Sequence, residues 1–462
     1  MVFSSAVFLL IFLPVFLTVY YLLPFKVKNA WLLLASLVFY AWGEPVYVFL
    51  MMGSIAVNYF AGLLLSRFAG RRAAMRAVLT VSVAVNVGAL FFFKYSDFLI
   101  SAINGSFGAG LRLMGLALPI GISFYTFQAL SYVIDVYRGK VSAQKNLIDF
   151  GAYISMFPQL IAGPIVRYSD VAARLKNRRF DAERCFSGII RFCLGLGKKA
   201  LLANNFGKIW EEISAAEGAA TMTMLLGGVC FALQIYFDFS GYSDMAIGIG
   251  RMLGFEFPEN FNYPYMSKSV AEFWRRWHIS LGSWFREYVY IPLGGNRLGL
   301  PRQLFNLLIV WALTGIWHGA GWTFLIWGLY FSLLLAAEKL FLGRILKKIP
   351  GFFSRIYTLF AVLVSWIIFA APDIKSAGYF LSELFGANGF AGSQTLYYLR
   401  NCGALLALGL LFSTNIARRA FDRFAPKKAR SPIGAVIGAA IYALSLILII
   451  NSAYNPFLYF RF

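Results

Sequence analysis

A stretch without any Asp, Glu, Lys or Arg runs from Gln303 to Ala337 and reads QLFNLLIVWALTGIWHGAGWTFLIWGLYFSLLLAA. As α-helix, its 35 residues would rise about 52 Å, at about 1.5 Å per residue. Two full crossings of a bilayer's hydrocarbon core would need about 60 Å. The stretch therefore predicts a helical hairpin in a membrane, with both ends on one side and an apex that stops short of the other surface.

His318 lies near the apex of this predicted hairpin, among Gly315, Gly319 and Gly321. Glycines let the backbone bend or let another helix approach closely. An ionisable side chain inside a membrane indicates a functional site, because burying it in lipid is costly. His318 is therefore a candidate catalytic residue at the floor of a recess. The alternative is a neutral histidine that only hydrogen-bonds a neighbouring helix.

The second of the chain's two histidines, His278, lies in the segment AEFWRRWHIS, residues 271–280. On a helical wheel, apolar and polar side chains separate onto opposite faces, which is typical of a helix lying in the membrane interface. The apolar face holds Val270, Trp274, Trp277, Leu281, Trp284, Phe285 and Tyr288, and the polar face holds Glu272, Arg275, Arg276, Ser280, Ser283, Arg286 and Glu287. His278 would sit at the edge of the aromatic face, where it could be catalytic or could simply stack on Trp274. No other type of side chain here titrates near neutral pH without help from its surroundings.

The composition extends the membrane assignment to the whole chain. Hydrophobic residues make up 60% of the 462 residues and charged residues 13%, which is more apolar than a soluble domain of this length needs to bury its core. We expect an all-α fold, a polytopic integral membrane protein with roughly 10–12 transmembrane helices. No long polar module separates out, so residues 1–462 are expected to form a single membrane-embedded domain.

The formal net charge of +22 does not indicate nucleic acid as a partner. The basic residues fall between apolar runs, where the positive-inside rule explains them, with attraction to anionic membrane lipids as a secondary effect. The cysteines also form no C-x-x-C pair and flank no histidine, so no metal site is expected. They are Cys185, Cys193, Cys230 and Cys402.

The strongest orientation signal in the amino-terminal half is a basic loop without acidic residues. It contains Arg67, Arg71, Arg72 and Arg76. Basic loops mark the cytoplasmic side, so Arg72 and the later Arg423 should be cytoplasmic and Asn104 external. A membrane-impermeant thiol reagent should label Asn104→Cys and spare Arg72→Cys, with the wild-type chain giving the background from its own cysteines. Labelling of position 72 but not of position 104 would reverse the orientation.

Two further segments place polar or proline residues inside apolar runs. Residues 234–244 include Asp238, Tyr242 and Asp244. An aspartate near the bilayer centre costs about 2.5 to 3.5 kcal/mol on insertion scales, so both carboxylates should face the protein interior with partners. They could orient a histidine or line a substrate path, or they could pair with Arg251 or Arg275 to hold helices together. Residues 157–164 contain two prolines, which predicts a re-entrant or broken helix buried in protein.

These segments, in this order, resemble the membrane-bound O-acyltransferase (MBOAT) family, and within it the bacterial branch that O-acetylates alginate and other polysaccharides. The most specific matches are WRRWHIS at 274–280 and TGIWHG at 314–319. The resemblance covers nearly the whole chain. The matching stretches are Met1–Ser5, Leu118–Arg138, Phe157–Tyr168, Gln234–Gly248, Glu272–Arg297, Asn306–Trp327 and Asn455–Phe460.

The resemblance implies a multi-pass protein of the bacterial cytoplasmic (inner) membrane, whose spans, re-entrant helices and interfacial helices surround a central tunnel or funnel. It implies transfer of an acyl group, with acetyl as the leading candidate, from a cytoplasmic thioester such as acetyl-CoA. No cofactor would be bound permanently. The acceptors would be hydroxyls of an extracytoplasmic polysaccharide, whether an alginate-like exopolysaccharide, cellulose or peptidoglycan. The alternatives are D-alanyl transfer to teichoic acid from a carrier protein, and a non-enzymatic transporter.

A separate delivery protein is also expected. The longest predicted external segment, Pro372 to Tyr398, is too small to hold a polymer. Related systems use an SGNH-type acetyltransferase or esterase outside the membrane for this step, so the resemblance implies a similar partner here.

The family's catalytic histidine, that of the Trp-His-Gly motif, corresponds to His318, and the histidine of Trp-His-Ile-Ser corresponds to His278. We expect His318 to be approached from outside and His278 from the cytoplasmic side, where a negatively charged donor would meet Arg275 and Arg276. Side chains expected to line the substrate path or support the site are Trp274, Arg275, Arg276, Trp277, Trp317, Asp238, Tyr242, Asp244 and Asn306.

Overall fold

The computed structural model describes residues 1–161, 163–426, 430–452 and 458, and the regular secondary structure of these residues is entirely helical. The all-α fold is therefore confirmed. Of the matching segment Asn455–Phe460, only Leu458 falls within the described residues. The described residues form two compact units, one of Met1–Phe192 with Ser243–Pro258 and the other of Cys193–Tyr242 with Glu259–Phe462. The single domain over 1–462 stays a prediction.

The helices follow one another through the chain with short connections. The first eleven are α1 Leu13–Leu22, α2 Phe25–Ala41, α3 Tyr47–Arg67, α4 Arg72–Phe107, α5 Ile122–Tyr137, α6 Leu147–Ser155, α7 Phe157–Leu160, α8 Tyr168–Lys176, α9 Ala182–Gly197, α10 Asn204–Ala215 and α11 Thr221–Met252. The remaining ten are α12 Val270–Arg276, α13 Ile279–Phe285, α14 Gly299–His318, α15 Trp322–Ala337, α16 Gly343–Lys348, α17 Gly351–Ala370, α18 Ile374–Leu384, α19 Ser393–Phe412, α20 Ile416–Phe424 and α21 Arg430–Asn451. Short π-helical segments extend several of them, namely Phe8–Phe12, Lys198–Ala203, Arg286–Tyr290 and Glu338–Leu342, and a 3-10 turn spans Pro264–Met266.

Seven helices in the described part of the chain are long and apolar enough to cross a membrane, so the protein is multi-pass. They are Tyr47–Arg67, Arg72–Phe107, Thr221–Met252, Trp322–Lys348, Gly351–Ala370, Ser393–Phe412 and Arg430–Asn451. A shorter apolar helix spans Phe8–Leu22. This is fewer than the roughly 10–12 spans that hydropathy predicts. One reason is that apolar segments counted as spans fold into shorter helices, such as α2 with 17 residues and α5 with 16.

In the first unit, α7 confirms the broken helix predicted around residues 157–164. It is four residues long and fully buried, with Pro158 in its first turn. The Phe157 ring lies in an aromatic cluster whose ring centroids are 5.0 Å away for Phe16 and 5.4 Å away for Phe12 and Phe39. The segment is thus enclosed in protein, the setting in which a broken helix is tolerated in membrane proteins.

The second unit contains the predicted helical hairpin, whereas the depth of its apex in the membrane stays a prediction. Helices α14 and α15 pack side by side and are joined by the short turn Gly319–Gly321. The close approach requires glycine at two facing positions. A Cβ atom on Gly315 would collide with the carbonyl oxygen of Phe324, and one on Gly328 with that of Trp311. Small residues at such positions are how helices approach closely in membranes.

The facing glycines lead to a stability prediction. Gly328→Ala should destabilise the protein by about 1 to 3 kcal/mol, because the new methyl group meets the backbone of α14, which cannot rotate away. The matched control is Gly403→Ala on α19, where no atom lies within 4 Å of the new methyl group. It should unfold at or above the wild-type temperature, since alanine favours helix over glycine. Equal unfolding midpoints for the two variants in one detergent would contradict the packing argument.

Candidate active site

His318 is the last residue of α14, directly before the hairpin turn. Its side chain is buried, with 8% exposure, and aromatic rings surround it. The ring centroids lie 5.0 Å away for Trp317, 4.9 Å for Trp327 and 5.4 Å for Phe369, each near a right angle to the imidazole. The predicted position near the hairpin apex is thus observed, and the surroundings are apolar.

His278 does not lie on a continuous helix, so that part of the sequence-based prediction is wrong. Helix α12 ends at Arg276 and α13 begins at Ile279, with His278 between them at φ 43° and ψ 53°. This left-handed conformation costs a non-glycine residue about 1 to 2 kcal/mol. The break is held by another segment, because the Ile279 N–H donates to the Asn260 carbonyl at 3.0 Å and the Asn262 N–H donates to the Arg276 carbonyl at 2.9 Å.

The apolar side chains of the segment around His278 pack in the protein interior rather than at its surface. Those buried are Val270, Trp277, Leu281, Trp284, Phe285 and Tyr288, while Trp274 is half-buried. Glu338 contributes to this placement, since its carboxylate accepts hydrogen bonds from the N–H groups of Val270 and Ala271 at the start of α12. Val270 and Trp277 thus belong to the hydrophobic core of the second unit, and Trp274 packs against it.

His278 itself is buried more deeply than an interfacial position would allow, with 1% exposure. Its Nδ1 lies 3.1 Å from Oδ1 of Asn260, an oxygen that also accepts hydrogen bonds from the backbone N–H and the hydroxyl of Ser280. Because the Ser280 N–H can only donate, the Asn260 atom is an acceptor and Nδ1 must carry the proton. Nε2 then presents a lone pair, and it has no hydrogen-bond partner among the described residues.

The protonation state of His278 follows from its burial. Desolvation disfavours the charged imidazolium and lowers the pKa of His278 to about 3. The ring is therefore neutral at physiological pH, in the tautomer that leaves Nε2 able to accept a proton or a hydrogen bond.

Asn260, which sets this tautomer, was missed by the sequence analysis. The available signal was a polar residue in a segment bounded by Pro258 and Pro264, which carries no helical periodicity.

Trp317 contacts both imidazoles. Its ring centroid lies 6.1 Å from that of His278 and 5.0 Å from that of His318. The two histidines therefore belong to one buried cluster. The expected approach to His318 from outside and to His278 from the cytoplasmic side stays a prediction. Trp274 and Trp277 extend the cluster, Trp274 packing against Trp311 at 4.6 Å and Trp277 against Trp366 at 4.9 Å.

Asp238 and Asp244, the first buried and the second half-buried, both have cationic partners. Asp238 is buried in the second unit and pairs with Lys199 at 2.7 Å, and its other oxygen accepts the Leu458 N–H at 2.9 Å. Asp244, in the first unit, pairs with Arg191 at 2.8 Å. The observed partners are thus Lys199 and Arg191, and the interpretation that these carboxylates hold helices together fits both observed pairs.

The remaining predicted residues have mainly structural contacts. Asn306 is fully buried and donates from Nδ2 to the Gly295 carbonyl at 3.0 Å, which ties α14 to the preceding turn. Tyr242 is buried on α11. Arg276 is engaged by Glu272 at 2.8 Å, whereas Arg275 is exposed. Of the two arginines expected to meet a donor, Arg275 is thus the one that is accessible.

The apolar helices and the buried histidine cluster define a multi-pass membrane protein with a polar site inside an aromatic core. Comparison with known proteins identifies its class. The model of the membrane-bound O-acyltransferase family, MBOAT, matches residues 142–381, more than half of the chain. The chain belongs to this family and is an O-acyltransferase.

Several relatives are similar over most of their length. The probable alginate O-acetylase AlgI of Pseudomonas putida is 39% identical over 492 aligned positions, covering 100% of each chain. The probable alginate O-acetylase AlgI of Pseudomonas aeruginosa is 42% identical over 83% of this chain and 75% of its own. The peptidoglycan O-acetyltransferase of Helicobacter pylori is 35% identical over 84% of this chain and 80% of its own.

Proposed function

We propose that this protein transfers an acetyl group from a cytoplasmic thioester, acetyl-CoA or another acyl thioester, toward hydroxyls of an extracytoplasmic polysaccharide. The proposed acceptor is an alginate-like exopolysaccharide, with cellulose and peptidoglycan as the further candidates. The names of the similar proteins support O-acetylation of such polymers. The structural observation that carries the proposal is the placement of both histidines against Trp317. We place the protein in the bacterial cytoplasmic membrane.

The proposed chemistry is base-assisted attack on the thioester. An alcohol must lose its proton as its oxygen bonds to the thioester carbonyl carbon, and a neutral imidazole within reach accepts that proton, which is typically worth about 10² to 10⁴-fold. We assign this role to His318. As the carbon–sulfur bond breaks, the imidazolium returns the proton to the departing thiolate. The products are an ester, a free thiol and a neutral histidine.

His278 is proposed to bind a reactant rather than to remove the proton. Its tautomer is fixed by Asn260, and the Nε2 lone pair can accept a hydrogen bond from a hydroxyl or amide group that enters the site. Trp317 keeps the two imidazoles at a fixed separation, since its ring packs against both. Trp274 and Trp277 support this arrangement from the core.

The experiment that tests the function follows the thiol product. Purified protein in proteoliposomes should release free CoA from acetyl-CoA when an acceptor system is present, and His318→Gln should not. Release of D-alanine from a charged carrier protein, with acetyl-CoA left intact, would instead indicate D-alanyl transfer. Movement of an intact solute without consumption of any thioester would indicate a transporter.

We further propose that an extracytoplasmic SGNH-type protein completes delivery to the polymer. In the segment predicted to be the longest external one, the structure has α18 and the beginning of α19, joined by residues 385–392. This leaves little chain with which to grip a polymer. The purified protein supplied with acetyl-CoA should therefore leave polymer unacetylated, and adding the partner should give at least a tenfold increase in acetylated polymer. Full acetylation by the chain alone would rule out this division of labour.

A further inference from the structure

The first unit contains a strongly basic cavity of about 460 Å³ that the proposed acyl-transfer chemistry does not use. The carboxyl-terminal ends of α1 and α11 meet there with the segment between α8 and α9. Its cationic lining residues are Lys28, Arg174, Arg178, Arg179, Arg184 and Arg251. Only one carboxylate, that of Asp181, is among the lining residues the structure describes.

The wall of the cavity is held by two tyrosines near the end of α1. The Tyr20 hydroxyl donates to the Leu253 carbonyl at 2.8 Å, and the Tyr21 hydroxyl donates to the Met252 carbonyl at 2.7 Å. These bonds tie α1 to the end of α11, where Gly254 turns the chain with φ 84°. These two bonds therefore fix the ends of α1 and α11 that form this wall of the cavity.

Arg178 is the most informative side chain, because it is a buried cation held only by neutral groups. It is 7% exposed. Its guanidinium donates to the Tyr20 hydroxyl at 2.9 Å, the Arg174 carbonyl at 3.0 Å and Asn29 Oδ1 at 2.6 Å, and it lies 4.4 Å from the centroid of the Phe255 ring. Within the described ranges, no carboxylate reaches it at ion-pair distance. A buried charge without a counter-charge is costly, so this site favours an anion.

The nearby carboxylates are already occupied by other arginines. Glu256 forms ion pairs with both Arg174 and Arg184, and Asp181 Oδ2 lies 3.3 Å from Arg184 Nε. Lys28 and Arg179 have no carboxylate partner among the described residues, and the Lys28 amine instead lies 4.7 Å from the centroid of the Tyr20 ring. The cavity thus holds an excess of positive charge.

We propose that this cavity binds a phosphate group. Guanidinium groups recognise phosphate oxygens by paired, charge-assisted hydrogen bonds, and several of them converge here. The phosphate could belong to the headgroup of an anionic membrane lipid or to a soluble phosphate compound. Basic pockets between helices on the cytoplasmic side are known to suit lipid phosphates. Leu22 and Phe180, 80% and 64% exposed, lie at or beside the cavity where lipid chains would cover them.

The test uses the full chain with two kinds of probe. Native mass spectrometry after delipidation counts retained phosphatidylglycerol against phosphatidylcholine, and calorimetry measures binding of adenosine 3′,5′-bisphosphate. One of the two anionic probes should bind.

The variant Lys28→Gln/Arg179→Gln should weaken binding of that probe by roughly 25-fold, because each cation near a bound anionic group contributes about fivefold. The matched control, Arg71→Gln/Arg72→Gln, removes two exposed arginines outside the cavity and should change binding less than twofold.

The outcomes separate the sources and decide the proposal. Retention of phosphatidylglycerol alone supports a lipid site, and binding of the bisphosphate alone supports a site for a soluble phosphate. Arg178→Gln should abolish binding in either case, and an unchanged unfolding midpoint of the Lys28→Gln/Arg179→Gln protein shows that the loss is not a folding defect. If phosphatidylglycerol is retained no better than phosphatidylcholine and the bisphosphate does not bind measurably, the cavity is not a phosphate site. The same conclusion follows if the control variant loses as much binding as the cavity variant.

Discussion

Replacing His318 by alanine is expected to lower acyl transfer by about 10² to 10⁴-fold, the usual contribution of a general base. The reason is that the chain's second histidine, His278, is proposed to bind a reactant through Nε2 rather than to remove the proton. The measurement is the initial rate of acetyl transfer in membranes that contain equal amounts of protein.

The control for this prediction is His318→Gln, which preserves polarity and approximate size but removes the basic imidazole. It should unfold like the wild type and still be inactive. His278→Ala should give a smaller loss, because its proposed role is binding. Wild-type rates in both His318 variants would mean that His318 is not the base.

The second large effect concerns the buried ion pair of Lys199 and Asp238, whose side chains are 4% and 3% exposed. Either Lys199→Met or Asp238→Leu alone should lower the free energy of unfolding by about 3 to 5 kcal/mol, because each leaves one buried charge without its partner. The double variant should recover most of that loss, since two apolar side chains of similar size can replace a buried pair.

Leu458 must be considered when the single and double variants are compared, because its backbone N–H loses its acceptor whenever Asp238 is replaced. The Asp238→Leu variant and the double variant both lack that hydrogen bond, so the difference between them reports on the Lys199 side chain without a contribution from Leu458. Unfolding by a detergent titration gives the four free energies. Losses that simply add in the double variant would mean that the pair is not coupled, and the helix-holding role of Asp238 would have to be abandoned.

The parts of the fold that the sequence predicts well have causes that are local in the chain. The hairpin of α14 and α15 follows from a charge-free run with glycines at its centre, and the broken helix α7 follows from two prolines in an apolar segment. The length of an apolar run and the backbone preferences of glycine and proline determine such features, and no contact with a distant residue is needed. The same is true of the all-α class.

Other features depend on residues far apart in the chain, which explains why they were not predicted. The break at His278 is held by Asn260 and Asn262, and no helical wheel contains those contacts. Asp238 pairs with Lys199, the second of two lysines that begin a π-helical segment, and nothing in that segment indicates the partner. The basic cavity joins cations from three separate stretches of the chain, Lys28, residues 174–184 and Arg251. In each case burial demands a partner, while the identity of that partner is set by tertiary packing.

The most direct test of the central claim is a structure of the protein with a thioether analogue of acetyl-CoA, which binds as the donor would but cannot transfer its acyl group. We expect the carbonyl group of the analogue to lie against Trp317, with room for a hydroxyl within about 3 to 3.5 Å of both the carbonyl carbon and the His318 ring. An analogue whose reactive end lies away from Trp317 and both histidines would contradict the assignment of this cluster as the active site.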